Sequence, residues 1–230
     1  MKKFVALLMT LMLAFTLTAF ADEAAAVQVY VSITDDTGAL VLAHEAVDVI
    51  DADADGALTI NDALICAHAA RHEEGEAAYR SEASEFGLSL MKLWGVENGG
   101  SYGYCLNDAS AWSLLDPVAA GDHVKAYAFT DLVAWSDTYS FFDAAAVEAA
   151  AGAEVALTLH AAGFDEMWNP VTLNVEGAVI TVNGEATDVA TDAQGKAVMT
   201  FAEAGVYVIS ADSETMNLVA PVCVVTVTAE

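Results

Sequence analysis

Twelve consecutive residues, Asp51-Ala-Asp53-Ala-Asp55-Gly56-Ala57-Leu58-Thr59-Ile60-Asn61-Asp62, carry the densest chemistry in the sequence. Carboxylates at positions 1, 3, 5 and 12, a carbonyl at 7 and a glycine at 6 are the ligand pattern of a calcium loop. Carboxylates held that close repel one another strongly unless a cation lies among them. The spacing therefore predicts Ca2+ bound by the side chains of Asp51, Asp53, Asp55 and Asp62. Ala57 would add its carbonyl, and Thr59 its hydroxyl or a bridging water. Leu58 should point into the core. Asp62 is shorter than the glutamate usual at the last position, which reduces bidentate reach and implies modest affinity. A strand, not a helix, leads into the loop, so the metal is expected to act as a clamp between hairpin and helix. A sensor that opens a helix pair is not expected.

Other reactive side chains make weaker patterns. His68 and His72 stand four apart on one helix with Cys66 near, but the run His-Ala-Ala-Arg-His lacks the glutamate of a zinc protease. They read as helix-face histidines. Trp94, Trp112, Trp135, Tyr102, Tyr104, Tyr127 and Tyr139 crowd the first half of the chain. Trp94 and Tyr127 fall in strand patterns and are expected in the core. Tyr102, Tyr104 and Trp112 flank Gly99–Gly103 and are the expected ligand-binding surface. That glycine stretch lacks the lysine and helix start of a phosphate loop. No Gly-x-Ser-x-Gly or other nucleophile setting occurs, so the protein is expected not to be an enzyme. Cys66, Cys105 and Cys223 are too few for a disulfide scaffold. One bridge, Cys66 to Cys105, or three unreactive thiols are the alternatives.

The elements that must hold these residues are legible from periodicity. Val27 to Thr34 alternates as a half-buried strand, Asp35-Asp36-Thr37-Gly38 turns, and Ala39 to Ile50 returns. A helix is predicted from Ile60 to His72, with Thr59 as N-cap and Asp62 closing a capping box. Glu73 to Glu85 reads as a polar, mobile connection. Strands are predicted at Ser89–Trp94, Gly103–Asn107, His123–Thr130 and Thr138–Phe142. Ala144 to Gly152 reads as a linker or short helix. Beyond it, short alternating runs with Asn-Gly and Gln-Gly turns predict a β-sandwich. The expected fold is an α+β domain at 22–143, one main helix on a small sheet. A linker at 144–152 and an all-β immunoglobulin-like sandwich at 153–230 follow.

Residues 1–21 have the basic start, apolar run and Ala19-Phe20-Ala21 site of a secretory signal peptide. A secreted, extracellular location follows as an expectation, with cell-surface association open and no membrane insertion after cleavage. The chain has 34 acidic and 7 basic residues and a net charge of −27. That charge repels nucleic acid and anionic membranes, and it favours solubility and attraction to cations.

Three resemblances arise from these residues. Asp51–Asp62 with the Ala-Leu helix after it resembles one calcium repeat of a dockerin. Dockerins carry two repeats and this chain shows one, so cohesin binding is not implied. The first half resembles the bacterial secreted family related to the C-terminal domain of transcobalamin. The matching features are the hairpin, Asn61-Asp62-Ala63-Leu64, Trp94-Gly95, and Gly99-Gly100-Ser101-Tyr102-Gly103-Tyr104 with Asn107. Asp116-Pro117-Val118 ahead of Gly121-Asp122 continues the match. That resemblance implies an exported binding module, with a corrinoid-type small molecule as one ligand class. The second half resembles bacterial immunoglobulin-like domains through Thr191-Asp192-Ala193-Gln194-Gly195-Lys196-Ala197 and Ala204-Gly205-Val206-Tyr207, which implies a spacer or adhesive module. The expected function is that of an exported, non-catalytic, calcium-binding protein that binds or adheres to an extracellular protein, glycan or small molecule. An accessory role in a glycan-degrading system is the further alternative.

Overall fold

Alternation in the first run places Val29, Val31 and Ile33 on one face, and all three are fully buried. A computed structural model describes residues 26–85 and 87–229; the signal-peptide expectation for 1–21 lies outside them. Strand β1 (Val27–Thr34) turns at Asp35, whose carboxylate accepts from the Thr37 and Ala39 N–H groups, and returns as β2 (Leu40–Val49). The acidic loop then leads into α1 (Ile60–Arg71). A short 3-10 turn at Gly75–Ala78 is followed by a separate hairpin, β3 (Arg80–Ser84) and β4 (Gly87–Lys92).

Strands β5 (Tyr102–Leu106), β6 (Ala109–Ser110) and β7 (His123–Ala128) complete a five-stranded sheet ordered β2-β1-β7-β5-β6. β7 runs parallel to β1, with Tyr30 opposite His123 and Thr34 opposite Tyr127. A parallel pair needs a long crossover, and here the crossover contains the loop, α1 and the outer hairpin. Gly103 on β5 makes room for the Tyr127 ring: a Cβ there would lie 2.1 Å from Tyr127 Cζ, so a larger residue has to displace that ring. Ile60, Ala63, Leu64 and Ala67 of α1 join one apolar cluster with Val29, Val31, Leu93, Leu114 and Val124.

Ten further strands follow: β8 (Thr138–Phe142), β9 (Ala146–Ala150), β10 (Glu154–Phe164), β11 (Pro170–Asn174) and β12 (Val179–Val182), then β13 (Glu185–Ala190), β14 (Lys196–Thr200), β15 (Gly205–Asp212), β16 (Leu218–Val219) and β17 (Cys223–Thr228). One sheet joins β11, β10, β8 and β16, with β14 also on β10; the other is ordered β13-β12-β15-β17-β9. Val155, Leu157 and Leu159 from the first layer meet Ile180, Ile209 and Val225 from the second in one core. The placement of β8-β10-β14 in one layer and β12-β15-β17 in the other is that of an immunoglobulin-like sandwich.

The expectation of an α+β first domain followed by a separate sandwich is corrected. The described residues are mostly β: strands make up 51% of them and helical residues 8%, with one α-helix among several sheets. The physical reasons lie in three places. The 12 residues of α1 are a small fraction beside the strands around them. Residues 80–84, expected as a mobile connection, form β3, and Ala146–Ala150, expected as linker or helix, form β9. Nor does the sandwich stand apart. β8, assigned by periodicity to the first domain, pairs with β10, and Lys125 of β7 reaches across to it.

That seam is built on a buried cation. Lys125 is 4% exposed, donates to the Ser140 carbonyl at 2.9 Å, and lies 3.6 Å from Asp108 and 4.5 Å from the Tyr139 ring centre. Burial pushes its ammonium down to about 8, with the Asp108 carboxylate opposing the shift. The Tyr139 hydroxyl donates to the same carboxylate at 2.7 Å. Cys105, Tyr139 and Val219 close a small apolar cluster around the seam. A charge this deep is held only because each of its partners is in place.

Candidate functional site

The acidic loop folds because its carboxylates cap its own backbone. Asp51 accepts from the Asp55 and Gly56 N–H groups at 3.0 and 2.9 Å, and Asp55 accepts from Ala57 N–H at 2.9 Å. Ala54 and Gly56 adopt φ of 59° and 92°, the left-handed turns that bring alternate residues to one side. As a result the ligand oxygens of Asp51, Asp53 and Asp55 all lie within 4.8 Å of one another. Partial burial, and then the nearby Asp62 charge, push the Asp53 carboxyl above its ordinary range. Oxygen donors of this kind suit a hard divalent cation.

Asp62 and Thr59 are placed differently. Asp62 is fully buried; one oxygen accepts from the Ala52 and Asp53 N–H groups at 2.8 and 3.4 Å. The other accepts from the Thr59 N–H and hydroxyl at 2.9 and 2.7 Å. Thr59 Oγ1 accepts in turn from Asp62 N–H, so the expected capping box opens α1. A carboxylate offers about four lone-pair sites, and here all are taken. Asp62 reaches an ion only by giving up one of these bonds, the 3.4 Å one from Asp53 being the weakest. Asn61 ties the loop further in: its Nδ2 donates to Asp53 at 2.8 Å, and its Oδ1 accepts from the Tyr79 and Ser81 hydroxyls. Sequence reasoning missed this residue, since an amide beside an acidic cluster carries no pattern of its own. Leu58 is half-buried and packs against the core.

The aromatic residues divide. Tyr102 and Tyr104 line one cleft of about 400 Å³ with Leu88, Met91, Gly99 and Gly100. The Tyr102 hydroxyl is pinned by the Met91 and Val96 carbonyls and accepts from Asn98 N–H. Trp112 is 96% exposed and lies outside this lining. The cleft's other wall is the β4 strand, to which its sequence pattern assigns no ligand contact. A second exposed apolar group, Phe164, Met167 and Trp168 at the β10–β11 tip, was also not anticipated.

His68 Nδ1 lies 2.6 Å from the Leu64 carbonyl and its Nε2 accepts from Trp94 N–H at 2.9 Å, which uses both ring nitrogens. Trp94 sits at φ 49° between the rings of His68 and His72 and packs on the core. Cys66, Cys105 and Cys223 are unpaired thiols. Among the described residues no helix is long and apolar enough to cross a membrane.

No family model matches the chain, and no curated protein matches it. Solved structures that align with it loosely include two immunoglobulin-repeat modules. Tandem Ig repeats of Dlar share 10% identity over 67% of this chain and 76% of theirs, at a TM-score of 0.28. The N-terminal Ig1-2 module of the Drosophila receptor protein tyrosine phosphatase DLAR shares 11% identity over 69% of this chain and 81% of its own, at a TM-score of 0.26. Scores this low carry nothing from those proteins to this one; the immunoglobulin-like arrangement rests on the strand order above.

Proposed function

We propose that this is an exported, non-catalytic protein that binds calcium in the 51–62 loop and works by binding or adhesion outside the cell. The observation that carries the calcium reading is the convergence of Asp51, Asp53 and Asp55 within 4.8 Å, on a turn with calcium-loop spacing. The triad supplies the first ligands, the Ala57 carbonyl adds another, and Asp62 joins by releasing its bond from Asp53. Thr59 acts through the cap. The ion would fasten the end of β2 to the start of α1, the clamp that the chain order implies.

Calorimetric titration of the chain beginning at Asp22 should give one bound calcium. Chelation should then lower the melting temperature: free calcium at about 100 times its dissociation constant adds about 2.7 kcal/mol if it binds the native state alone. No heat together with an unchanged melting curve would reduce the loop to a self-capped acidic turn.

The contact surface in this reading is the Tyr102–Tyr104 cleft, with exposed Trp112 as a second element. Ligand sites commonly span about 300–1,000 Å³. At about 400 Å³ the cleft suits a protein side chain or a single sugar better than a corrinoid macrocycle. Binding to an extracellular protein or glycan is therefore preferred to a corrinoid carrier. Replacing Tyr104 and Trp112 with Ala should remove at least tenfold of the affinity for such a ligand, read on a glycan or protein array. Tyr102 is best changed to Phe, because its hydroxyl also holds the 96–98 turn. Retention of full affinity would move the contact site elsewhere.

A further inference from the structure

A groove of about 630 Å³ separates β2 from the outer face of the second unit, and its lining has two different periods. On one wall, the turn residues Gly38 and Ala39 and then Leu40 to Ala43 of β2 line it in unbroken succession. Side chains of a strand alternate between faces, so consecutive residues can share a groove only if the strand presents its edge. β2 is the terminal strand of its sheet, with β1 as its strand neighbour among the described residues. On the opposite wall Thr181 and Asn183 of the β12 side and Val208, Ser210 and Asp212 of β15 are spaced by two, with Gly184 of the turn and Ala220 beside them. Thr181 and Ser210 are register partners. That wall is a sheet face, floored by small and polar side chains.

An exposed strand edge beside a shallow face is the arrangement in which an extended peptide adds as a further strand. The four edge residues Leu40–Ala43 span about 14 Å at the strand rise of about 3.4 Å per residue. The edge supplies backbone hydrogen bonds, and the floor at Thr181 and Ser210 admits small side chains from alternate positions. Charge selects the occupant. Asp212 stands exposed in the lining without a cationic side chain among the lining residues, and the chain carries −27 overall. A second copy would bring the same charge to the same edge and be repelled.

We infer that the β2 edge is a docking site for an extended cationic peptide segment, which binds by strand addition with small side chains on the Thr181–Ser210 floor. The site is independent of the calcium loop and of the tyrosine cleft.

The test uses the full mature chain and fluorescein-labelled heptapeptides with Lys at alternate positions and Ala, Ser or Val between them. The expected result is saturable anisotropy at 0.15 M salt, with slowed amide exchange confined to residues 40–43. Ser210→Trp, which fills the floor from the other unit, should weaken binding at least tenfold without moving the melting temperature. Asp212→Lys should weaken it severalfold. A peptide interrupted by Pro at its centre should bind at least tenfold more weakly. Absence of saturable binding by every peptide overturns the proposal. So does equal affinity for the proline peptide, which would leave charge attraction alone, or indifference to Ser210→Trp. Sedimentation showing a dimer that Ser210→Trp dissolves would assign the edge to a second copy and equally overturn it.

Discussion

Acidification from pH 7 to pH 5 should lower the melting temperature on the order of 10 °C, before most carboxylates titrate. Two buried imidazoles carry the effect. Burial, reinforced by nearby His44 and Lys125, pushes His123 down to about 3. Burial pushes His68 down to about 4, opposed by its bond to the Leu64 carbonyl. In the unfolded chain both return to about 6.5. Below that value the unfolded state takes up protons that the folded state refuses, so stability falls as pH drops from about 6.5. The loss is complete only below about 3. By pH 5 each residue removes about 2 kcal/mol, a large share of the 5–15 kcal/mol typical of a folded protein. Neutralising surplus carboxylates relieves repulsion in this acidic chain, but mainly nearer pH 4, so the two effects separate in pH. The His68→Gln/His123→Gln double variant should start less stable and show a much flatter melting curve between pH 7 and pH 5. An unchanged slope in that variant would hand the acid sensitivity to the carboxylates.

The second large effect is expected at Asp62→Ala. Its carboxylate satisfies two N–H groups at the loop entrance and the N–H and hydroxyl of Thr59, all within a buried setting. An N-cap interaction contributes about 1 kcal/mol, and a hydrogen bond to a charged group about 1.5–3. Removing the residue should cost about 3 kcal/mol, or roughly 6–12 °C for a chain of this size. The loss should appear in chelator as well as in calcium, since the bonds are internal. Destabilisation seen only with calcium present would mean that Asp62 acts as a metal ligand and little else.

Much of this arrangement was readable residue by residue. Val27–Thr34 was found with its predicted bounds, and the Thr59–Asp62 box formed because both halves of that signal are local. The three acidic residues converged because spacing and Gly56 dictate it. What escaped was whatever lacked a period. β3 has four of its five residues exposed, so no apolar alternation marks it. β9 is Ala-rich and gets its strand state from pairing with β17, 78 residues away in sequence by the register Val224 opposite Ala146. The tyrosine cleft depends on how the β3–β4 hairpin stands over Gly99 and Gly100, a distance no local pattern encodes. Lys125 looked like an ordinary strand lysine, and only tertiary structure buries it.

The order of strands at the two ends of the sandwich has a mechanical consequence. β8 and β9, through which the chain enters, run parallel to β16 and β17, through which it leaves. Tension along the chain draws the entering strands backward and the leaving strands forward, in opposite senses along one axis. Both pairings are therefore loaded in shear, and the rungs from Ala146–Val224 to Ala150–Thr228 must yield together instead of unzipping singly. A sandwich built this way resists pulling at its ends far better than its equilibrium stability alone would suggest.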